Sequence, residues 1–594
     1  MTTEQAPFVL GGPLRRDRSV SRYRSFLPAA AIAVIVALPL RGLFLATGSS
    51  MEEGFMLVFP ERLRRGDLPN LDFLHLYGPF SLHVLAGWYS LLGTTLHVER
   101  WFGLLQHLAV IAGALCLARA WGRAVALVAG MVVTFLLLTP IGLAALAWEG
   151  GVALATWAVI AAVRALHVDG PSRARCAIAS GILTGAALGF RPDLVLALGL
   201  SVVLTVGVVL LRNVSDRQRL RGWFIAGLGV GLLPVVVHVV LAGPAAVWRG
   251  MVIEPVVHLR PGRQLPRPPT LGELDGALQG MSEGPLDAPW WGVPSLGASS
   301  QIWLWFWVVI TVAVVVPLVA WRRFRHPVLL AGSMLGLGML PQALQRPDST
   351  HLAWGSAVSF ALLPCLVAEW RQRRTPAPRV SSTLMWCAVP VLVLLLVVAP
   401  YFTLRPWVFH SRVTVGQKQG GHVVTRDDRW FTFGNDALRR ASQPAIDTLD
   451  DLSSPGERLF VGPADLRRTI YNDVAFYHLF PELEPATYFI EMDPGLADRE
   501  GSRLAADIAS ADWVLLTNFW TGWYEPNASV EFGSDESNRV VAEQFCLVGS
   551  YEDALVLLYR KCATGDGVDP STIGIGVERR ADFERELARR GPDG

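Results

Sequence analysis

Long apolar runs separated by short polar segments occupy the first two thirds of the chain. A membrane core about 30 Å thick needs roughly 20 apolar residues of helix to cross it, and the pattern predicts about eleven such crossings. The predicted spans are residues 26–46, 101–118, 124–138, 151–166, 177–190, 194–211, 223–241, 302–321, 327–340, 352–370 and 382–402. We therefore predict a mostly α, polytopic membrane helical bundle.

The composition supports this class. Hydrophobic residues make up 52% of the chain and charged residues only 17%, values typical of a bilayer protein. The net charge of +2 says little by itself, because in a membrane protein the positions of the charges matter more. The six cysteines form no C-x-x-C pair, which argues against a zinc knuckle or a thioredoxin-like site.

Arginine clusters indicate which loops face the cytoplasm. If each run crosses once from a cytoplasmic N-terminus, all later clusters fall on that same side, as the positive-inside rule requires. The clusters lie at residues 15–24, 119–123, 173–175, 212–221, 322–325 and 371–379. The alternative for residues 26–46 is a cleaved signal peptide, but the long basic segment and the many later spans favour a retained anchor. We predict a multi-pass protein of a bacterial cell membrane.

Residues 80–96 are apolar, yet counting them as a span would place every later arginine cluster outside. The segment contains His83 and Gly87 with aromatic Trp88 and Tyr89. Since Trp and Tyr favour the membrane–water interface, we predict a helix that lies at the outer interface.

The chain after residue 402 reads as a soluble domain. Short β-like runs alternate with helical stretches, which predicts a small α/β domain. The predicted strands are 458–461, 513–517, 545–548 and 554–559, and the predicted helices are 435–451 and 501–509. The expected divisions are a cytoplasmic N-terminus (1–25), a membrane domain (26–402) with outer loops 47–100 and 242–301, and an extracytoplasmic α/β domain (403–594).

Three features of the outer regions keep more than one interpretation. Residues 242–300 form either a cover over the helix ends or a lid. The aromatic run Phe519, Trp520, Trp523 and Tyr524 either binds a sugar ring or packs as a loop. Cys546 and Cys562 are not opposite in the expected hairpin, so the sequence favours free thiols over a disulfide. The last thirty or so residues are predicted to form a solvated helix and a loose terminus.

Ionisable residues gather in the predicted outer loops, close to hydrocarbon. Such residues are costly there and by default indicate a functional site. They are Glu52, Glu53, Asp72, Tyr77, Glu149, Arg191, Asp193, Arg346, Asp348 and His351. The simpler interpretation of each Arg-Pro-Asp is a capped turn, and two copies on one face make that less convincing.

The first outer loop resembles that of the GT-C membrane glycosyltransferases, specifically the bacterial relatives of protein O-mannosyltransferases and of the aminoarabinose transferase that acts on lipid A. The resemblance covers about residues 26–400. Its matching segments are Glu52-Glu53-Gly54, Gly66-Asp67-Leu68-Pro69, Asp72-Phe73 and Tyr77-Gly78-Pro79.

The resemblance implies roles for these residues. Glu52 and Glu53 fall at the acidic positions of the catalytic loop, and Glu149 matches a second acid before the fourth span. Tyr77 stands where many relatives have a Lys or His near the donor phosphate, so Arg191 and Arg346 become the better phosphate ligands. Asp193 and Asp348 would hold those arginines, with Asp72 and His351 in support.

The function implied is transfer of a sugar from a polyprenyl-phosphate donor to an extracytoplasmic acceptor, with inversion and with Glu52 as base. The acceptor would be an envelope glycan, a glycolipid or a protein. No cofactor is certain; a divalent cation on Glu52 and Glu53 is a candidate, although two carboxylates are a weak signal. The alternative is a transporter or flippase for a lipid-linked precursor, which would usually carry polar groups near the bilayer midplane.

Overall fold

The computed structural model describes residues 27–213, 216–268, 298–374, 380–520 and 525–562. Each of the eleven predicted spans coincides with helix there. The helical segments run Leu27–Phe44, Leu96–Ala118, Arg123–Val133 with Thr134–Leu138, Ala147–Ala165, Pro171–Phe190, Val195–Leu198 with Gly199–Val209, Arg217–Ala242, Ala298–Val319, Pro327–Gln345, Ser349–Ala361 with Leu363–Arg374, and Val380–Val393 with Leu394–Val398.

Within the described residues, seven helices are long and apolar enough to cross a membrane, and two further apolar helices are shorter. The seven are Leu96–Trp121, Arg123–Ile141, Pro192–Val209, Arg217–Ala242, Ser300–Phe324, Pro327–Gln345 and Ser349–Arg374. The chain is therefore a multi-pass membrane protein, as the hydropathy pattern predicts. Which face is cytoplasmic stays a prediction.

The segment predicted to lie at the interface forms the helix Pro79–Leu92, which begins at a proline and ends at Gly93. Its 14 residues give a length of about 21 Å at 1.5 Å per residue, shorter than the hydrocarbon layer. The helix buries Leu82, Leu85 and Tyr89, and the Tyr89 hydroxyl donates to the carbonyl of Met56 in the preceding helix. Its depth in the membrane stays a prediction.

The first outer loop contains a second helix, Glu52–Arg65, and the first part of the long outer loop is helical as well. Gly66 ends the first of these with a left-handed backbone, φ 106°. In the long loop the helical segments are Pro244–Trp248, Arg249–His258 and Leu259–Arg263. The sequence analysis predicted no helix in this part of the long loop. Residues 269–297, with Trp290 and Trp291, lie outside the described residues.

The C-terminal region contains two sheets. Strands β1 (His422–Arg426) and β2 (Arg429–Phe433) form an antiparallel hairpin that the sequence analysis missed. The other five are β3 (Arg458–Pro463), β4 (Glu484–Pro485), β5 (Trp513–Thr517), β6 (Phe545–Tyr551) and β7 (Val556–Lys561), in the order β4-β3-β5-β7-β6. Strands β3, β4 and β5 are parallel, whereas β7 runs antiparallel to both neighbours.

The helices of the C-terminal region are Leu404–Thr414, Asp436–Leu452, Ala475–Leu479, Leu504–Ala509 and Glu536–Gln544. Asn435 caps the second of these by accepting from the amide of Leu438. The predicted mixture of short strands and helices is confirmed. The predicted terminal helix and part of the aromatic run, Trp523 and Tyr524, lie outside the described residues.

Cys546 and Cys562 form a disulfide, with their Cα atoms 5.3 Å apart, so the sequence-based preference for free thiols is wrong. Cys546 is opposite Arg560 in the ladder, and Cys562 lies just beyond the last strand. Its amide donates to the carbonyl of Gln544, which brings the two residues together across the strand ends.

The C-terminal region and the first outer loop share one hydrophobic core. Phe55, Phe59 and Phe73 from the loop are buried in the same cluster as Phe431 and Phe476. A separate, larger core lies inside the helical bundle. Because apolar burial is the main stabilising term in folding, the first loop is fixed from both sides, by the bundle and by the C-terminal region.

Candidate active site

Glu52 begins the helix that follows the first span, where the helix dipole favours a carboxylate. Its Oε2 accepts hydrogen bonds from the Tyr471 hydroxyl, at 3.1 Å, and from the Ser49 hydroxyl. Burial raises the pKa of the Glu52 carboxyl, and the positive charge of Arg263 opposes that shift. A carboxyl whose pKa is raised in this way is suited to accept a proton.

Glu53, by contrast, is fully engaged in an ion pair. Arg100 donates from Nε to Oε1 at 2.7 Å and from Nη2 to Oε2 at 3.0 Å. The same guanidinium donates to the carbonyl of Phe44 at 2.8 Å, at the end of the first span. The side chains of Arg100 and Glu53 are almost fully buried, so this pair fixes the start of the Glu52–Arg65 helix.

The glycine of the Glu-Glu-Gly segment is explained by a close approach of the C-terminal region. A Cβ at Gly54 would lie 2.7 Å from the amide nitrogen of Ala475 and 2.9 Å from Val474 Cβ. The amide of Ala475 also donates to the carbonyl of Ser50. Only a residue without a side chain therefore permits this contact next to Glu52.

Arg191 ends the helix Pro171–Phe190 and lies between two partners. Its Nε and Nη2 donate to Asp193 at 2.9 and 2.7 Å, and its guanidinium lies 4.6 Å from the centre of the Tyr77 ring, a cation–π distance. The amide of Gly78 donates to the carbonyl of Phe190. Tyr77 is thus placed against an arginine that the resemblance proposed for phosphate binding.

Glu149 lies in the first turn of the helix Ala147–Ala165. Its Oε1 accepts from the indole of Trp354 at 2.9 Å. That indole stacks on Trp148 with ring centres 4.9 Å apart, and His351 contacts its edge. Glu149 is completely buried and interacts with the charge of Arg191.

Arg346 ends the helix Pro327–Gln345 and has a partner that the sequence did not suggest. Its Nη1 and Nη2 donate to the two oxygens of Glu525, at 2.9 and 2.6 Å. Its Nε donates to Asp348 at 3.1 Å, and Nη1 also donates to the carbonyl of Arg263 at 2.6 Å. Asp348 in turn caps the next helix by accepting from the amide of His351.

Arg263, Glu491 and Asp493 complete the site, and the sequence analysis missed all three. Arg263 Nε lies 3.2 Å from Asp493 Oδ1, and the charge of Arg263 acts on Glu52. Burial and the charge of Asp493 raise the pKa of Glu491 well above its usual value. Tyr77 interacts electrostatically with Glu491, Arg263 and Asp493.

We call this group the charged cluster, because its titratable side chains interact electrostatically with one another. Its members are Glu52, Tyr77, Arg191, Arg263, Arg346, Glu491 and Asp493. Glu149 is connected to the cluster by its electrostatic interaction with Arg191. Asp72 does not take part, because it is exposed and its carboxylate accepts from the amide of Leu68 within its own turn.

The Glu52 and Glu53 pair does not fit a divalent cation. Both oxygens of Glu53 are bound by Arg100, and carboxylate oxygens must be available to act as ligands. Among the described residues, no group of three or more His, Cys, Asp or Glu side chains has an arrangement that could hold a metal ion.

No family model matches the sequence, and no curated protein matches it. Solved structures do match in fold. ArnT from Cupriavidus metallidurans in the apo state aligns over 92% of this chain and all of its own, with a TM-score of 0.51 and 13% identity. ArnT from the same organism bound to undecaprenyl phosphate aligns over 93% of this chain and all of its own, with a TM-score of 0.49 and 12% identity.

An oligosaccharyltransferase from Archaeoglobus fulgidus, in complex with Zn and sulfate, aligns over 88% of this chain and 72% of its own, with a TM-score of 0.42 and 10% identity. At these identities the likeness concerns the fold. The membrane bundle and the C-terminal region together thus have a GT-C-like, ArnT-like fold, as the resemblance of the first outer loop predicted.

Proposed function

We propose that this protein transfers a sugar from a polyprenyl-phosphate donor to an extracytoplasmic acceptor. One observation carries the proposal. A half-buried carboxyl with a raised pKa, Glu52, interacts with the charge of Arg263, within a cluster that also holds Arg191 and Arg346. Glycosyl transfer from a lipid phosphate needs a base for the acceptor and positive charge for the leaving group.

In the proposed reaction the acceptor hydroxyl attacks the anomeric carbon of the donor sugar while Glu52 takes its proton. The new glycosidic C–O bond forms as the bond from the anomeric carbon to the phosphate oxygen breaks. The electron pair of that bond leaves with the polyprenyl phosphate. Attack opposite the leaving group inverts the anomeric configuration.

The arginines have two different proposed roles. Arg191 and Arg263 bind the departing phosphate, since guanidinium groups recognise phosphate through paired hydrogen bonds. Arg346 is bound on both Nη atoms by Glu525, and it holds the backbone of Arg263. We therefore assign Arg346 to positioning. Glu53 and Arg100 likewise position Glu52, and Glu149 orients Arg191.

We also propose that the charged cluster faces away from the cytoplasm. Every arginine cluster of the membrane domain falls opposite to it in the predicted topology, in agreement with the positive-inside rule. The Cys546–Cys562 disulfide supports the same orientation, because structural disulfides persist in oxidising compartments. The proposed location is a bacterial cell membrane.

Glu52→Gln tests the assignment, because the amide keeps the size of the side chain but cannot act as a base. In a deletion strain carrying the variant, we expect the glycan made by this protein to be missing from envelope fractions. Purified full-length variant should still bind undecaprenyl phosphate, the ligand of the related ArnT structure. Full transfer by the variant would contradict the proposal. Glu484→Gln, an exposed acid of the C-terminal sheet, is the control.

The pH dependence gives a second test. Because burial raises the pKa of Glu52, transfer should fall as pH drops through a value above the usual glutamate range, where the base becomes protonated. Arg263→Gln removes a charge that lowers this pKa, so the acidic limb should move to higher pH. An unchanged limb in that variant would remove Glu52 as the titrating base.

A further inference from the structure

Glu491 is a buried carboxyl that the proposed mechanism does not use. It is 1% exposed, and among the described residues neither of its oxygens has a hydrogen-bond partner. A buried polar group without a partner is costly. In a native structure such a group calls for an explanation, and a bound ligand is one.

The surroundings of Glu491 favour a ligand that donates hydrogen bonds. Glu52 and Asp493 interact with it as further carboxyls, and Arg263 is a cation that all three share. Arg191 also acts on Glu491, and Arg346 on Asp493, but the guanidinium groups of these two arginines donate to Asp193 and Glu525. The hydroxyl groups of a sugar can donate to the Glu491 oxygens that have no partner.

An aromatic pair of the C-terminal region lies beside Glu52. The rings of Tyr471 and Trp520 are 4.2 Å apart, and the Tyr471 hydroxyl donates to Glu52. Trp520 is only half-buried. An aromatic surface with a few convergent polar groups is the usual make-up of a small-molecule site.

We propose that Glu491 and Asp493 bind hydroxyl groups of a substrate sugar ring and hold that ring against Glu52, with Tyr471 and Trp520 along one face of the ring. The proposal rests on the proposed function and assigns sugar recognition to the C-terminal region. Asp493 forms an ion pair with Arg263, whereas both oxygens of Glu491 would accept hydrogen bonds from the sugar hydroxyls.

The first test compares stability with activity in Glu491→Leu. Replacing a buried carboxyl that has no partner by an apolar group of similar size is neutral or stabilising. The melting temperature should therefore stay unchanged or rise, while kcat/KM for transfer falls by about 10- to 100-fold, the value of a lost hydrogen bond to a charged group. Glu484→Leu should change neither. A lower melting temperature together with weaker undecaprenyl phosphate binding would show a structural role and overturn the proposal.

The second test does not depend on transfer. Thermal unfolding of the full-length protein is followed with a panel of free pentoses and hexoses. At least one sugar should raise the melting temperature of the wild type and of Glu484→Leu, and have no effect on Glu491→Leu. No shift with any sugar in the wild type, or equal shifts in both variants, would contradict the proposal.

The outcomes separate this proposal from the proposed function. A sugar shift that Glu491→Leu abolishes, in a protein that transfers nothing from polyprenyl phosphates, leaves the sugar site standing and removes the transferase. Normal transfer by Glu491→Leu removes the proposed sugar site at Glu491 and leaves the transferase standing. Transfer that EDTA abolishes and Mn²⁺ restores, with Mn²⁺ binding lost in Glu491→Leu, would show a cation site in place of the sugar site.

Discussion

The two Arg-Pro-Asp segments have the same sequence and nearly the same backbone, but different partners. Arg191 and Arg346 both end a helix in extended conformation, with φ, ψ of −142°, 95° and −138°, 97°. Each donates to the aspartate two residues later. Arg191 then contacts Tyr77 of the first outer loop, whereas Arg346 binds Glu525 of the C-terminal region.

The comparison shows that a local motif fixes a turn but does not fix a role. In the first copy the guanidinium adjoins an aromatic ring, and its aspartate is partly exposed. In the second copy the guanidinium is bound by a carboxylate that is fully buried. The environment therefore separates a proposed phosphate ligand from a proposed positioning residue.

The largest expected difference between the two segments is in how much each arginine contributes to the free energy of unfolding. Arg346→Ala leaves Glu525 buried without a counter-charge, with the Asn527 amide as its remaining donor, which costs about 3–5 kcal/mol. Arg191→Ala should cost clearly less, because the Asp193 side chain is 37% exposed and can be solvated. Chemical unfolding of the purified full-length protein measures both. The double change Arg346→Leu with Glu525→Leu should recover most of the loss, and equal costs for the two alanine variants would contradict the distinction.

The next largest effect concerns only the first Arg-Pro-Asp segment, which contains Arg191. A Cβ at Gly78 would lie 2.0 Å from the carbonyl oxygen of Gly189, next to Arg191. Gly78→Ala should therefore cost about 1–3 kcal/mol through overpacking and lower transfer by displacing Tyr77 from Arg191.

Gly87→Ala is the matched control for this prediction. Gly87 is a helical glycine of the same loop with nothing within 4 Å of its Cβ position. The Gly87→Ala variant should keep normal transfer activity and should not lose stability. If both glycine variants behave alike, the close approach at Gly78 is not what positions Arg191.

The smallest effect distinguishes the two aspartates. Asp348 caps the following helix through the amide of His351, at 2.9 Å, whereas the Asp193 side chain makes no such cap. Asp348→Ala should lose about 1 kcal/mol from the cap alone, in addition to its ion pair. Asp193→Ala should lose less. Thermal unfolding of the two variants checks the order, and the reverse order would contradict it.

The same aspartate predicts a pH dependence. Burial alone would raise the pKa of Asp348, but His351 and Arg346 together hold it below its usual value. The carboxylate therefore contributes stability that is present above the unfolded pKa, about 3.9, and is lost as pH falls below it. In Asp348→Asn that loss at acidic pH should be smaller, as unfolding at several pH values would show.

The sequence predicted what depends on local pattern. Apolar runs located the helices of the membrane domain. Alternating short runs gave the α/β character of the C-terminal region. Each of these follows from residues close together in the chain, where periodicity and composition carry the signal.

The missed residues depend on contacts between distant segments. Glu491 and Asp493 stand in a loop, and Arg263 ends the short helix Leu259–Arg263. Charged residues are ordinary in such segments, so nothing in their sequence neighbourhood distinguishes the three from solvated side chains. Glu525 follows an aromatic run, and its partner is 179 residues away. The nearest available signal was the coincidence of Pro, Gly and Arg around residue 263, which is common in any loop. The disulfide joins residues only 16 positions apart, and the sequence disfavoured it because the expected strand register did not place the two cysteines opposite each other.

The hydrogen bond from Tyr471 to Glu52 joins residues 419 positions apart. At about 5–20 residues per second, the ribosome needs roughly 20–80 s to make the chain between them. During that interval the first helices can already be inserted while Glu52 lacks its hydroxyl partner. On the proposed function, a nascent chain cannot consume its lipid donor until the segment with Tyr471 has been made and has reached Glu52. The order of synthesis therefore delays activity.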